Sequence, residues 1–225
     1  MSIEWLTHLI LSLMKKLILT IFITLFSILA SLGQNIAELK QKAEQGDAKA
    51  QYIFGCCYAY GMGGVKKDLR EAVKWFRKAA EQGHAKAQYC LALCYFNGEC
   101  VEKDTREAVK WFSKSAEQGN VLAQNNLGYC YAYGVEKDLR EAVKWYRKAA
   151  EQGYADAQCS LGVYYAKGDG VIQNNVKAYA WLALALANGS EKAKKEMDFL
   201  KKEMTPNQIV EAQNLAEKYY NGKFD

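Results

Sequence analysis

The stretch Asp68–Gly83, DLREAVKWFRKAAEQG, constrains the fold of this chain more than any other feature, because it comes back. It returns over Asp138–Gly153 with one change in sixteen positions, and over Asp104–Gly119 with three. A looser copy spans Asn174–Gly189, so that Trp75, Trp111, Trp145 and Trp181 stand 36, 34 and 36 residues apart. A fixed period of that length marks a stacked array of helical units, each burying one face against its neighbours. The expected fold is therefore all-α, a solenoid rather than a globule with one centre.

The copy is a helix by its spacing. Ala72, Trp75, Phe76, Ala79 and Ala80 fall at i, i+3, i+4, i+7 and i+8, one stripe of a 3.6-residue period, with Arg70, Glu71, Lys74, Arg77, Lys78 and Glu81 on the other face. Asp68, Asp104 and Asp138 are placed as N-caps. Glu71, Glu107 and Glu141 stand three residues on, the spacing of a capping box, in which the glutamate returns a bond to the cap amide. Gly83, Gly119 and Gly153 supply the left-handed residue that ends the helix.

A second helical pattern lies between these copies, beginning at Ala48, Ala85, Val121 and Ala155. Ala50, Phe54 and Tyr58 make its core stripe, and Gly55, Gly128 and Gly162, with Ala92 in the second copy, would let the partner helix approach closely. Each repeat is thus helix A, a loop, helix B and a glycine turn. The loop from the repeat tyrosine to the cap varies: ten residues from Tyr58 to Asp68, nine from Tyr95 to Asp104 and seven from Tyr131 to Asp138.

The order A-x-A-Q-x-x-L-G-x-x-Y-x-x-G, then V-x-K-D, then E-A-V-K-W-x-x-K-A-A-E-Q-G, resembles the Sel1-like repeat, a relative of the tetratricopeptide repeat. The resemblance covers residues 47–189, as four units at 47–83, 84–119, 120–153 and 154–189. It implies a right-handed α/α superhelix, used in known members mainly as an interaction scaffold. Residues 34–46 read as an amino-terminal half-repeat cap, and residues 190–225 as capping helices at the other end. There Thr205, Pro206 and Gln208 form a helix start.

Residues 1–33 differ from the rest. Lys15 and Lys16 precede an uncharged apolar run, and Ser31 and Gly33 fit the −3 and −1 positions of a signal peptide ending before Gln34. Met14 is an alternative start. The expected localisation is export, to the periplasm or beyond. The rival is an inner-membrane anchor over residues 17–32.

Composition narrows the partners. Removing residues 1–33 takes away two lysines and one glutamate and lowers the net charge from +5 to +4, spread regularly over every helix B as a solvated face. No nucleic-acid-binding motif is present, so nucleic acid is not an expected partner. A membrane would be met only through an uncleaved amino-terminal segment. The expected state is a monomer. Cys57, Cys94 and Cys130 share one slot in successive repeats, about a helix diameter apart, which is too far for a disulfide. Buried thiols acting as small hydrophobes are expected. Some secreted Sel1-like repeat proteins carry a cysteine pair joining helix B to the next helix A. This sequence has no cysteine in a helix B and departs from that pattern.

Chemistry is sparse. After signal removal His84 is the one histidine, there is no Cys-x-x-Cys, and no metal site, cofactor or catalytic residue is expected. The enzymatic alternative is a penicillin-binding or β-lactamase-like hydrolase, suggested by some cysteine-rich relatives. Its Ser-x-x-Lys signature occurs only at Ser12 and Lys15, while Ser113, Ser115, Ser160 and Ser190 lack the lysine. The expected protein is a non-enzymatic scaffold or adaptor that binds a protein or peptide on its concave face, lined by helix A. The positions of helix A that vary between copies form a stripe apart from the core stripe. They give Tyr52, Tyr60, Tyr89, Asn97, Asn125, Asn126, Tyr129 and Tyr133 as candidate contacts. Packing between neighbouring helices is the competing role for these side chains.

Overall fold

The computed structural model describes residues 35–134 and 136–224. The signal-peptide and membrane-anchor expectations for residues 1–33 lie outside them. Helix α1 occupies residues 35–44. Four helix pairs follow: α2 (Ala48–Tyr60) and α3 (Leu69–Glu81), α4 (Ala85–Asn97) and α5 (Thr105–Glu117), α6 (Val121–Tyr133) and α7 (Leu139–Glu151), α8 (Ala155–Lys167) and α9 (Asn175–Ala187). Helix α10 (Glu191–Leu200), a short 3-10 turn and α11 (Pro206–Tyr220) close the chain. The protein is an all-α solenoid of repeated helix–loop–helix units flanked by extra helices. Its described residues form two compact units that divide after Ala79, within α3.

In the amino-terminal unit, Ala43 of α1 and Ala50, Phe54 and Cys57 of α2 make a small core, against which Ile36, Leu39, Tyr58, Val65 and Trp75 pack. Gly55 lies against Phe76, whose ring carbon would be 2.8 Å from an added Cβ. The carboxy-terminal unit repeats this close approach. Gly128 faces Tyr146 at 2.9 Å and Gly162 faces Leu182 at 2.7 Å by the same measure. Here α4–α5, α6–α7 and α8–α9 pack as pairs, and α5 and α7 also pack on the next helix A. Trp181 of α9 stacks on Phe224 at 5.4 Å and lies 4.6 Å from Tyr219 of α11, so the terminal helix covers the last repeat.

The helix ends follow the sequence at every B helix but for one bond. Asp104 and Asp138 cap α5 and α7 through their side chains, and Asp68 accepts from the amides of Arg70 and Glu71. Gly83, Gly119 and Gly153 end their helices at φ 90°, 86° and 87°, a conformation that glycine adopts without a Cβ clash. The expected return bond of the capping box is replaced. Glu71, Glu107 and Glu141 pair with Lys74, Lys110 and Lys144, and Glu107 also accepts from the Trp111 indole at 2.8 Å. The reason is that the cap amide is already bonded. The amides of Asp68, Asp104, Asp138 and Asn174 donate to the carbonyls of Tyr58, Tyr95, Tyr131 and Tyr165 at 2.8–3.0 Å. Loops of different length thus close with one shared hydrogen bond. A true capping box forms at Thr205 and Gln208, as the sequence indicated.

Buried glutamines tie the carboxy-terminal unit together. Gln88, Gln124 and Gln158 donate to the carbonyls of Ala80, Ala116 and Ala150, each at the end of the preceding helix. Their own oxygens accept from Gln118, Gln152 and Asn188 at the end of the following helix B. Gln51 makes the same bond to Ala43 in the amino-terminal unit.

Candidate functional site

The candidate contacts divide between the two units. In the amino-terminal unit Tyr52 is half-buried with its ring 6.1 Å from Phe76, while Tyr60 is 74% exposed. In the carboxy-terminal unit Tyr89 is half-buried, 5.9 Å from Phe112. Asn97 is exposed and donates to Glu99, Asn125 is half-buried, and half-buried Asn126 donates to the backbone of Leu122. Tyr129 and Tyr133 stand apart from these. They are 47% and 69% exposed and lie one turn apart on α6 with ring centroids at 4.9 Å.

The structure adds Phe96 of α4 to this pair, 6.1 Å from Tyr129 at an edge-to-face angle of 80°. Lys103, in the following loop, holds its ammonium 6.0 Å above the Phe96 ring. Phe96, Lys103, Thr105, Tyr129, Cys130 and Tyr133 line a cavity of about 250 Å³. Tyr133 is further held by Tyr164 of α8, whose hydroxyl is pushed well above the usual range by burial and by its contacts with Tyr133.

This is where the array departs from its own pattern. Position 96 is Ala59, Ala132 and Ala166 in the other copies, so a phenylalanine there adds a ring to the surface. The loop after α6 is the shortest of those joining a helix A to its helix B. Gly134 takes an extended conformation, whereas Gly61, Gly98 and Gly168 at the same position are left-handed. Sequence comparison of the copies contained both signals, but only the packing brings Phe96 beside Tyr129.

The remaining chemistry-bearing residues have structural occupations. His84 caps α4, its Nδ1 accepting from the Ala87 amide at 3.2 Å. Ser115 is buried and donates to Ala85 at 2.7 Å. The cysteines form no disulfide, and burial pushes the thiols of Cys94 and Cys130 up to about 11. Among the described residues no group of three or more His, Cys, Asp or Glu side chains is placed to hold a metal ion. Also among the described residues, no helix is long and apolar enough to cross a membrane.

Stacked helix pairs with variable side chains on an exposed helix A define a helical-repeat protein of the interaction type. The chain belongs to the Sel1 repeat family, whose repeat matches residues 48–84, 85–120, 121–154 and 155–190. The secretory immunoglobulin A-binding protein EsiB of Escherichia coli O6:H1 is 47% identical over 70 residues, covering 29% of this chain and 14% of that protein. Among solved structures, a Sel1 repeat protein from Oxalobacter formigenes superposes with a TM-score of 0.67 at 35% identity, over 75% of this chain and 49% of that one. The protective antigen c5321 of uropathogenic Escherichia coli superposes at 0.54 with 33% identity, over 84% of this chain and 49% of that one. The chain therefore spans about half or less of the length of these relatives.

Proposed function

We propose that this protein is an exported, non-enzymatic scaffold of the cell envelope that holds a protein or peptide partner on the helix A face. The Tyr129–Tyr133 pair is the centre of the contact. The observation that carries this reading is the exposure of two tyrosines in ring contact, 47% and 69%, beside a cavity at the point where the repeat breaks its pattern. Soluble proteins rarely leave such rings together in water without a use for them. Tyrosine supplies contact area at little entropic cost and a hydroxyl for hydrogen bonding. A relative named for binding an immunoglobulin supports a protein as the partner class. In the carboxy-terminal unit Asn97, Asn125 and Asn126 are assigned as the surrounding contacts, with half-buried Tyr89, and in the amino-terminal unit Tyr60 and half-buried Tyr52 are assigned as a contact of their own. The export signal at residues 1–33 supports an envelope location.

The test is paired capture from envelope extract, with the wild-type chain and Tyr129→Ser/Tyr133→Ser as baits of equal helicity. A partner kept by the first bait and lost by the second supports the reading. A partner held equally by both refutes this placement of the site.

A further inference from the structure

Two cavities occupy the same place in the repeat, between one helix B, the end of the following helix A, and the loop beyond it. In the carboxy-terminal unit the walls include Val109 of α5, Tyr131 of α6 and Glu136 of the loop, around about 310 Å³. In the amino-terminal unit the corresponding walls are Ile36 of α1, Phe54 and Tyr58 of α2, and Val65 of the loop, around about 640 Å³. Ile36 and Val109 occupy equivalent positions in the repeat, as do Tyr58 and Tyr131. The larger cavity falls within the range of about 300–1,000 Å³ typical of ligand sites.

Their electrostatics differ. The smaller cavity is neutralised from within, by Arg106 and Glu136 at 3.6 Å. The larger is rimmed by Lys40, Lys66 and Lys67, against the single carboxylate of Asp68. That carboxylate is committed to the amides of Arg70 and Glu71 at the start of α3. Lys40 lies 3.7 Å from Glu44 with both side chains 56% exposed, a pairing that water weakens. Among the described residues, Lys66 and Lys67 enter no ion pair.

We propose that the amino-terminal cavity docks an acidic peptide segment, a bulky apolar side chain filling the floor of Ile36, Phe54, Tyr58 and Val65 while flanking carboxylates meet Lys40, Lys66 and Lys67. The floor is aromatic, with Phe54 and Tyr58 edge to face at 5.1 Å. The loop favours a peptide over a lipid. Residues 65–68 have no regular secondary structure, and among the described residues the amides of Lys66 and Lys67 donate no hydrogen bond. They are therefore available to the carbonyls of an extended chain. This site shares no residue with the Tyr129–Tyr133 pair and goes beyond the function assigned to it.

The probe is the fluorescein-labelled heptapeptide Asp-Glu-Asp-Phe-Glu-Asp-Glu, titrated by anisotropy into the full chain. Saturable binding is expected, weakening with added salt. It should be at least tenfold weaker when the central Phe is Ala, and absent when lysines replace the acidic residues. Lys66→Glu/Lys67→Glu, and separately Lys40→Glu, should each weaken it at least tenfold with unchanged helicity. Tyr129→Ser/Tyr133→Ser should leave it unchanged. Indifference to the lysine reversals or to the central Phe overturns the proposal. So does binding only to phosphatidylglycerol vesicles.

Discussion

The side-chain amide of Gln152, at the end of α7, donates to the side-chain oxygen of Gln124 on α6 at 2.7 Å, joining the two ends of one repeat. Gln124 is 4% exposed and passes the connection on, donating to the Ala116 carbonyl at 3.1 Å. Gln124→Leu removes both bonds and leaves the Ala116 carbonyl to backbone amides alone, that of Gly119 at 3.0 Å among them. The expected loss is about 1–3 kcal/mol of unfolding free energy, read by urea denaturation. Adding Gln152→Ala should cost less than it does alone, because its partner has already gone.

Cys100 is the one non-glycine residue with positive φ among those described, at 60°. The equivalent position of repeat 4 is Gly170, at φ 69°. A side chain in this conformation costs about 1–2 kcal/mol, partly offset by the flexibility glycine adds to the unfolded chain. Cys100→Gly should therefore stabilise the protein by about 0.5–1 kcal/mol in the same urea assay, and Cys100→Val should destabilise it.

The indole nitrogen of Trp111 finds Glu107, but that of Trp181 is buried without a hydrogen-bond partner among the described residues. Lys177 stands where Glu107 stands in the second repeat. Lys177→Glu supplies an acceptor and a carboxylate in the first turn of α9. A gain of about 1 kcal/mol is expected, seen as a raised melting temperature.

Burial raises the Cys94 and Cys130 thiols from near 9 to about 11, and raises Tyr131, Tyr146, Tyr154 and Tyr164 as well. The folded state therefore holds protons that the unfolded chain has already released. Stability from these groups is complete below about pH 9 and is lost as pH rises from there through the folded values, the thiols' share being gone above about 11. Unfolding free energy should fall steadily between pH 9 and 11. In Cys94→Ala/Cys130→Ala the slope should be shallower over that window.

The repeat, its helix ends and the close approach at Gly55, Gly128 and Gly162 were legible because each is a local pattern or a matched pair one period apart. The return bond from Glu71, Glu107 and Glu141 was misjudged for a physical reason. A spacing of three residues does not reveal that the cap amide is held by a tyrosine carbonyl from the preceding helix. The glutamines were visible as motif letters, but their bonds span eight residues backward and about thirty forward, and only packing shows them. Helical spacing placed Tyr52 and Tyr89 on a face without revealing Phe76 and Phe112 beneath them. It gave Tyr129 and Tyr133 correctly as neighbours on one turn, and could not supply Phe96 from the repeat before.

A partner held at the Tyr129–Tyr133 pair is detected by site-specific photo-crosslinking in intact cells. A photoreactive phenylalanine replaces Tyr133 in one strain and Tyr220 in another. The two tyrosines are comparably exposed, at 69% and 72%, and Tyr220 lies at the end of α11. A discrete adduct of higher mass is expected from position 133 and none from position 220. An adduct from position 220 alone, or equal adducts from both, would contradict it.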